Sequence, residues 1–169
     1  SEERLRIVKA SLTLLGDQFN PPSSQTGAGN FSQQGSVNAD FENSDLHPQA
    51  QKWMSKNGIS EDQLEHFYHF DQGRATPIAL PGNATSKREQ TINAYLATGL
   101  ASYLTSGDAS FSDADARRFC EQSGCYDSPN HTKAIKALGN KVTGSKVAGW
   151  KLTSPGLTAA AELVKKPNS

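Results

Sequence analysis

No apolar run in this chain is long enough to cross a bilayer, which argues against membrane spans and membrane partners. The opening stretch, SEERLRIVKASLTLL, sets charges of both signs among its apolar residues and has no signal-peptide core. The chain therefore reads as cytoplasmic. Cysteine is nearly absent: Cys120 and Cys125 form a C-x4-C pair, and His131 alone lies near enough in sequence to add a third ligand. A structural zinc site needs about four ligands. Two ordinary thiols in a reducing compartment are the better expectation, with no metal and no cofactor.

Catalytic signatures are missing as well. Asp, Glu, His and Ser occur, but none falls in a nucleophile elbow, a phosphate-cradling glycine loop or a metal-ligand spacing. Asp62 and His66 stand four apart on an expected helix, with His69 and Asp71 on an expected strand. That mixture lacks the supporting logic of a metal site, so exposed or satisfied histidines are expected instead. The chain is not read as an enzyme.

Net charge is zero overall but uneven along the chain. Residues 1–85 hold six Lys/Arg against ten Asp/Glu, and residues 86–169 hold eleven against seven. A balance of −4 beside one of +4 suggests units with different tasks. The hydrophobic share, 35%, is low for a chain folded throughout, so part of it should be linker.

Four segments follow from the pattern. Residues 1–15 carry Leu5, Val8, Leu12 and Leu15 at helical spacing, an amphipathic helix that needs a surface: self-association or a protein partner. Residues 16–46 are rich in Ser, Gln, Asn and Gly without periodicity, a flexible linker. Residues 47–85 predict a helix through Trp53 and Met54 that stops at Gly58. A second helix follows, capped by Ser60, and then a hairpin turning at Asp71-Gln72-Gly73, with Pro77 confining the return to an edge strand. Residues 86–169 begin with the strongest helical stripe: Ile92, Tyr95, Leu96, Leu100, Tyr103 and Leu104, with Gly99 on the same face and Gly107 as its end.

Beyond that helix, Ser112-Asp113-Ala114-Asp115 forms an S-x-x-D capping pattern, with Ala116, Phe119 and Cys120 facing inward and Gly124 as the stop. Ser128 then predicts an N-cap, with Pro129 at the first helical position and Gly139 closing the helix. At about 100° per residue, His131, Ala134, Ile135 and Leu138 fall inside, and Asn130, Lys133, Lys136, Ala137 and Asn140 fall outside. The outer side offers ammonium groups for phosphates and carboxamides suited to base edges, without a carboxylate. KVTGSKVAGWKLTSPG then predicts a hairpin bearing Lys141, Lys146 and Lys151, followed by a last helix through Leu157, Ala160, Ala161 and Val164.

The order of long helix, short extended piece, two helices, hairpin and helix, with W-K-L-T-x-x-G joining the hairpin to the last helix, resembles the winged helix-turn-helix superfamily. The resemblance covers about residues 86–166. It implies an α+β, mostly α chain whose Ser128–Gly139 helix enters the major groove of duplex DNA and whose Gly144–Gly149 loop is the wing. The expected contacts are Asn130, Lys133, Lys136, Asn140, Lys141, Lys146 and Lys151. No arginine stands among them, which limits guanine reading. The functional expectation is a DNA-binding transcriptional regulator or nucleic-acid-associated factor; the alternative is a winged-helix adaptor docking within a larger complex.

Overall fold

A computed structural model describes residues 45–166. The expected N-terminal helix, with Leu5, Val8, Leu12 and Leu15, and all but two residues of the expected linker lie outside the described residues. What is described is mixed α and β and mostly helical, with two small antiparallel sheets.

Helix α1 (Pro48–Asn57) starts where His47 Nδ1 accepts the Gln49 N–H at 3.2 Å, and Gly58 closes it at φ 65°. The short α2 (Glu61–Glu65) carries a full capping box: Gln63 N–H donates to Ser60 Oγ, and Ser60 N–H donates to Gln63 Oε1. Strands β1 (Tyr68–Asp71) and β2 (Arg74–Pro77) pair from Tyr68↔Pro77 to Asp71↔Arg74. Their two-residue turn holds Gln72 and Gly73 both at positive φ, the twist that matches a tight hairpin. β2 lies along the next helix, and the Tyr68 hydroxyl donates to the Ala97 carbonyl at 3.1 Å.

That next helix, α3 (Lys87–Ser106), is the axis of the described region. The sequence stripe predicts one buried face, yet every residue from Asn93 to Ala101 is buried. Neighbours surround it: α1, β2 and most of the later elements contact it. Small residues make this possible. A Cβ on Gly99 would stand 2.6 Å from Leu152 Cγ and 2.8 Å from Phe111 Cε1, so the second sheet rests directly on the helix backbone there.

The chain continues through β3 (Ser110–Phe111), α4 (Asp113–Gln122), α5 (Ser128–Ala137) and a 3-10 turn (Gly139–Lys141). It then runs through β4 (Val142–Ser145), β5 (Gly149–Leu152) and α6 (Ser154–Lys165). The second sheet has the order β3-β5-β4, so the last strand inserts between the other two. Trp150 is paired with Phe111 on one side and Gly144 on the other. Thr153 caps α6 by accepting the Gly156 N–H at 3.3 Å. Gly156 lets that first turn press against the Lys141 carbonyl, where any side chain would collide.

Two boundaries differ from the sequence expectation. Ser128 is the first helical residue of α5, and Asp127 occupies the N-cap with no side-chain cap bond. Its carboxylate instead accepts from Asn130 Nδ2 at 2.9 Å. The helix also ends at Ala137 rather than at Gly139, because Gly139 adopts φ 52° and opens the 3-10 turn. Asn140 and Lys141 therefore belong to that turn and not to the helix.

Candidate nucleic-acid interface

Helix α5 is held from beneath. His131, Ala134 and Leu138 are buried against α3 and its neighbours, and Ile135 is half-buried. Asn130, Lys133 and Lys136 are exposed, as the helical wheel requires. Trp53, whose segment could have covered this face, packs edge-on against Tyr103 near the far end of α3, with ring centroids 6.0 Å apart. The outer face of α5 is open.

The remaining expected contacts are more dispersed. Asn140 is exposed on the 3-10 turn, where its carbonyl accepts from Thr153 Oγ1. Lys141 is half-buried beside it. Lys146 is exposed at the hairpin tip next to Val147, which is 98% exposed. Lys151 is exposed, but its Nζ contacts Asp108 Oδ1 at 2.6 Å, so this ammonium already has a partner. Lys151 is the weakest member of the set.

The structure also brings in two residues that sequence reasoning missed. A cleft of about 360 Å³ separates the start of α3 from α5, and Lys87, Arg88 and Thr91 face Asn130, Lys133 and Asp127 across it. Among the described residues Lys87, Arg88, Lys133 and Lys136 make no ion pair. Arg88 supplies the guanidinium that the expected contact set lacked. A local signal was present: Lys87 and Arg88 occupy the first turn of α3, where the helix dipole disfavours cations by about 0.3–1 kcal/mol each. A broken local rule is a functional pointer.

Behind α5 lies a buried polar cluster that positions both α5 and the hairpin. Asp113, at the start of α4, accepts from the Tyr95 hydroxyl at 2.8 Å and the Trp150 indole at 3.0 Å, both on Oδ1. Its Oδ2 accepts from Arg117 at 3.1 Å. Burial pushes the Asp113 carboxyl up, but the bonds from Trp150 and Tyr95 and the Arg117 charge outweigh it and hold the group below the usual carboxylate range. Arg117 also lies over the Tyr126 ring, 5.8 Å from its centroid, with its Nε buried and unpartnered.

The same tyrosine joins this cluster to α5. Tyr95 Oη stands 3.0 Å from His131 Nε2. Since the phenol proton goes to Asp113, the imidazole Nε2–H donates to the phenol oxygen, which fixes the tautomer. His131 Nδ1 is then a bare lone pair, and it has no partner. Burial, helped by the Arg117 charge, holds the imidazole below its ordinary pKa and therefore neutral.

Among the described residues no group of three or more His, Cys, Asp or Glu converges, and no helix is long and apolar enough to cross a membrane. No protein-family model, curated protein or solved structure matches the chain.

Proposed function

We propose that residues 86–166 form a winged helix-turn-helix module that binds duplex DNA, with α5 as recognition helix and β4–β5 as wing. Supporting the fold reading are the order α3-β3-α4-α5-β4-β5-α6 and the insertion of β5 between β3 and β4. One observation carries the functional reading. Asn130 and Lys133 on α5 and Lys87 and Arg88 on α3 border a single open cleft, with Asp127 as its one acid, and Lys136 is exposed further along α5. Cations on two elements can hold phosphates on either side of a groove, while Asn130, whose Nδ2 donates to Asp127, keeps its amide oxygen for a base edge.

The hairpin adds Lys146 and Lys141, and Lys151 adds little because of Asp108. About five phosphate contacts would give a log–log salt slope of about −4 to −5 on B-DNA. The test is fluorescence anisotropy on a random duplex across a salt series. Lys133→Glu with Lys136→Glu should weaken binding and flatten the slope by about two or more. Lys87→Ala with Arg88→Ala should weaken binding with a smaller change in slope. Wild-type protein that fails to bind duplex at low salt, or a double lysine variant that binds like wild type, refutes the proposal. The first outcome would leave the module as a protein-interaction adaptor.

A further inference from the structure

The corner between α4 and α5 holds the chain's two cysteines in a geometry the DNA-binding reading does not use. Gly124 sits at φ 70°, its N–H donates to the Glu121 carbonyl at 3.1 Å, and the Cys125 N–H donates to the Cys120 carbonyl at 2.9 Å. This pair of bonds is a Schellman turn, which brings the side chains at its two ends together. Those ends are Cys120 and Cys125, both free and both fully buried.

The backbone bond limits how far apart they can be. A carbonyl oxygen stands about 2.4 Å from its own Cα and an amide nitrogen about 1.46 Å from its own, so the 2.9 Å bond holds the two Cα atoms within about 6.8 Å. Disulfides bridge Cα separations of about 4.4–6.8 Å.

We propose that Cys120 and Cys125 are a dithiol modification site, closed to an intrachain disulfide by a hydroperoxide. Cys125 is the attacking sulfur. The neighbouring Cys120 thiol is the largest influence lowering the Cys125 thiol, and the Thr91 hydroxyl and the Lys87 charge act in the same direction. Cys120 is raised by the neighbouring Cys125 thiol and by burial. The Cys125 thiolate attacks one peroxide oxygen, the O–O bond breaks, and the departing oxygen leaves as an alcohol (water, for hydrogen peroxide) after taking up a proton. Cys125 is then a sulfenic acid. The Cys120 sulfur attacks the Cys125 sulfur, the S–O bond breaks, and the hydroxide leaves as water with the Cys120 proton. Two thiols are oxidised by two electrons and one peroxide bond is reduced. Both sulfurs are fully buried, so oxidation requires local opening of the corner, and both reacting sulfurs lie within that one turn.

The bridge covalently fixes the α4–α5 corner, whatever α5 binds. The test treats the full chain with hydrogen peroxide in native buffer, then unfolds it in the presence of N-ethylmaleimide for intact-mass measurement. Wild type should become monomeric protein lighter by two hydrogens with no maleimide added. Cys120→Ser should instead give a dimedone-reactive sulfenic acid at Cys125, with far-UV circular dichroism checking its fold. Gly124→Ala keeps both thiols and strains the turn, because L-residues disfavour that φ; it should form several-fold less bridge at equal exposure. Wild type that takes up two maleimides, yields only linked dimers, or bridges no better than Gly124→Ala overturns the proposal.

Discussion

Replacing Asp113 by alanine should destabilise the fold more than any other single polar substitution in the described region. Its carboxylate receives three hydrogen bonds, from Tyr95, Trp150 and Arg117, at 2.8, 3.0 and 3.1 Å. A buried donor left without its acceptor costs about 1–3 kcal/mol. Tyr95 is the cheapest loss, since its hydroxyl can turn to His131 Nε2 if the imidazole changes tautomer. The Arg117 side chain is 31% exposed and partly screened, so its share belongs at the low end. Together these give about 3–4 kcal/mol for Asp113→Ala, a large part of a typical domain's 5–15 kcal/mol, roughly. Asp113→Asn keeps an oxygen for Tyr95 and Trp150 but turns an amide toward Arg117, and should cost about half as much. Urea unfolding followed by circular dichroism at neutral pH measures both. The reasoning also demands coupling: Trp150→Phe removes one indole N–H, so its cost should largely vanish in the Asp113→Ala background. A loss under about 1 kcal/mol for Asp113→Ala, on a scale where buried donors cost 1–3, or strict additivity with Trp150→Phe, would refute the account.

Other outcomes follow from the same contacts. His131 has a folded pKa below its ordinary 6.5, so the unfolded chain takes up its proton first as pH falls. Its contribution to stability is complete above pH 6.5 and is lost as pH drops from there through the folded value, and His131→Gln should flatten that part of the pH–stability curve. Asp113 acts in a separate, more acidic window, below its ordinary 3.8, where its contribution also falls with pH. Gly99→Ala should cost about 1–3 kcal/mol by overpacking, because the side chains of Leu152 and Phe111 can yield only in part. Gly156→Ala should cost more, since the obstruction is the Lys141 backbone carbonyl. Thermal melts of the two glycine variants would check that order, and a reversed order would contradict the packing.

Local chemistry made much of this chain legible in sequence. Ser60 and Ser112 cap the helices they precede, as their patterns predict, while Ser128 yields the N-cap position to Asp127. The helical wheel placed His131, Ala134 and Leu138 inside and Lys133 and Lys136 outside, as found. What sequence could not show depends on distant partners. Asp113 reads as a first-turn acid that suits a helix dipole, yet it is buried, because Tyr95 and Trp150 reach it from 18 and 37 residues away. Lys151 reads as a free hairpin cation until Asp108 is found beside it. Lys87 and Arg88 join Lys133 only once α3 and α5 cross. The wheel also misplaced Asn140, since a positive φ at Gly139 ended the helical frame before it.

The meeting of α3, α4 and β5 at one carboxylate, with α5 tied to it through Tyr95, has a consequence for engineering. The lysine-bearing helix is not a portable cassette: moved to another scaffold it would bring His131 without the phenol that orients it. The hairpin would likewise arrive with an indole lacking its acceptor. Anyone redesigning the outer face of α5 should transplant Tyr95, Asp113, Arg117, His131 and Trp150 together, and vary only the outward residues.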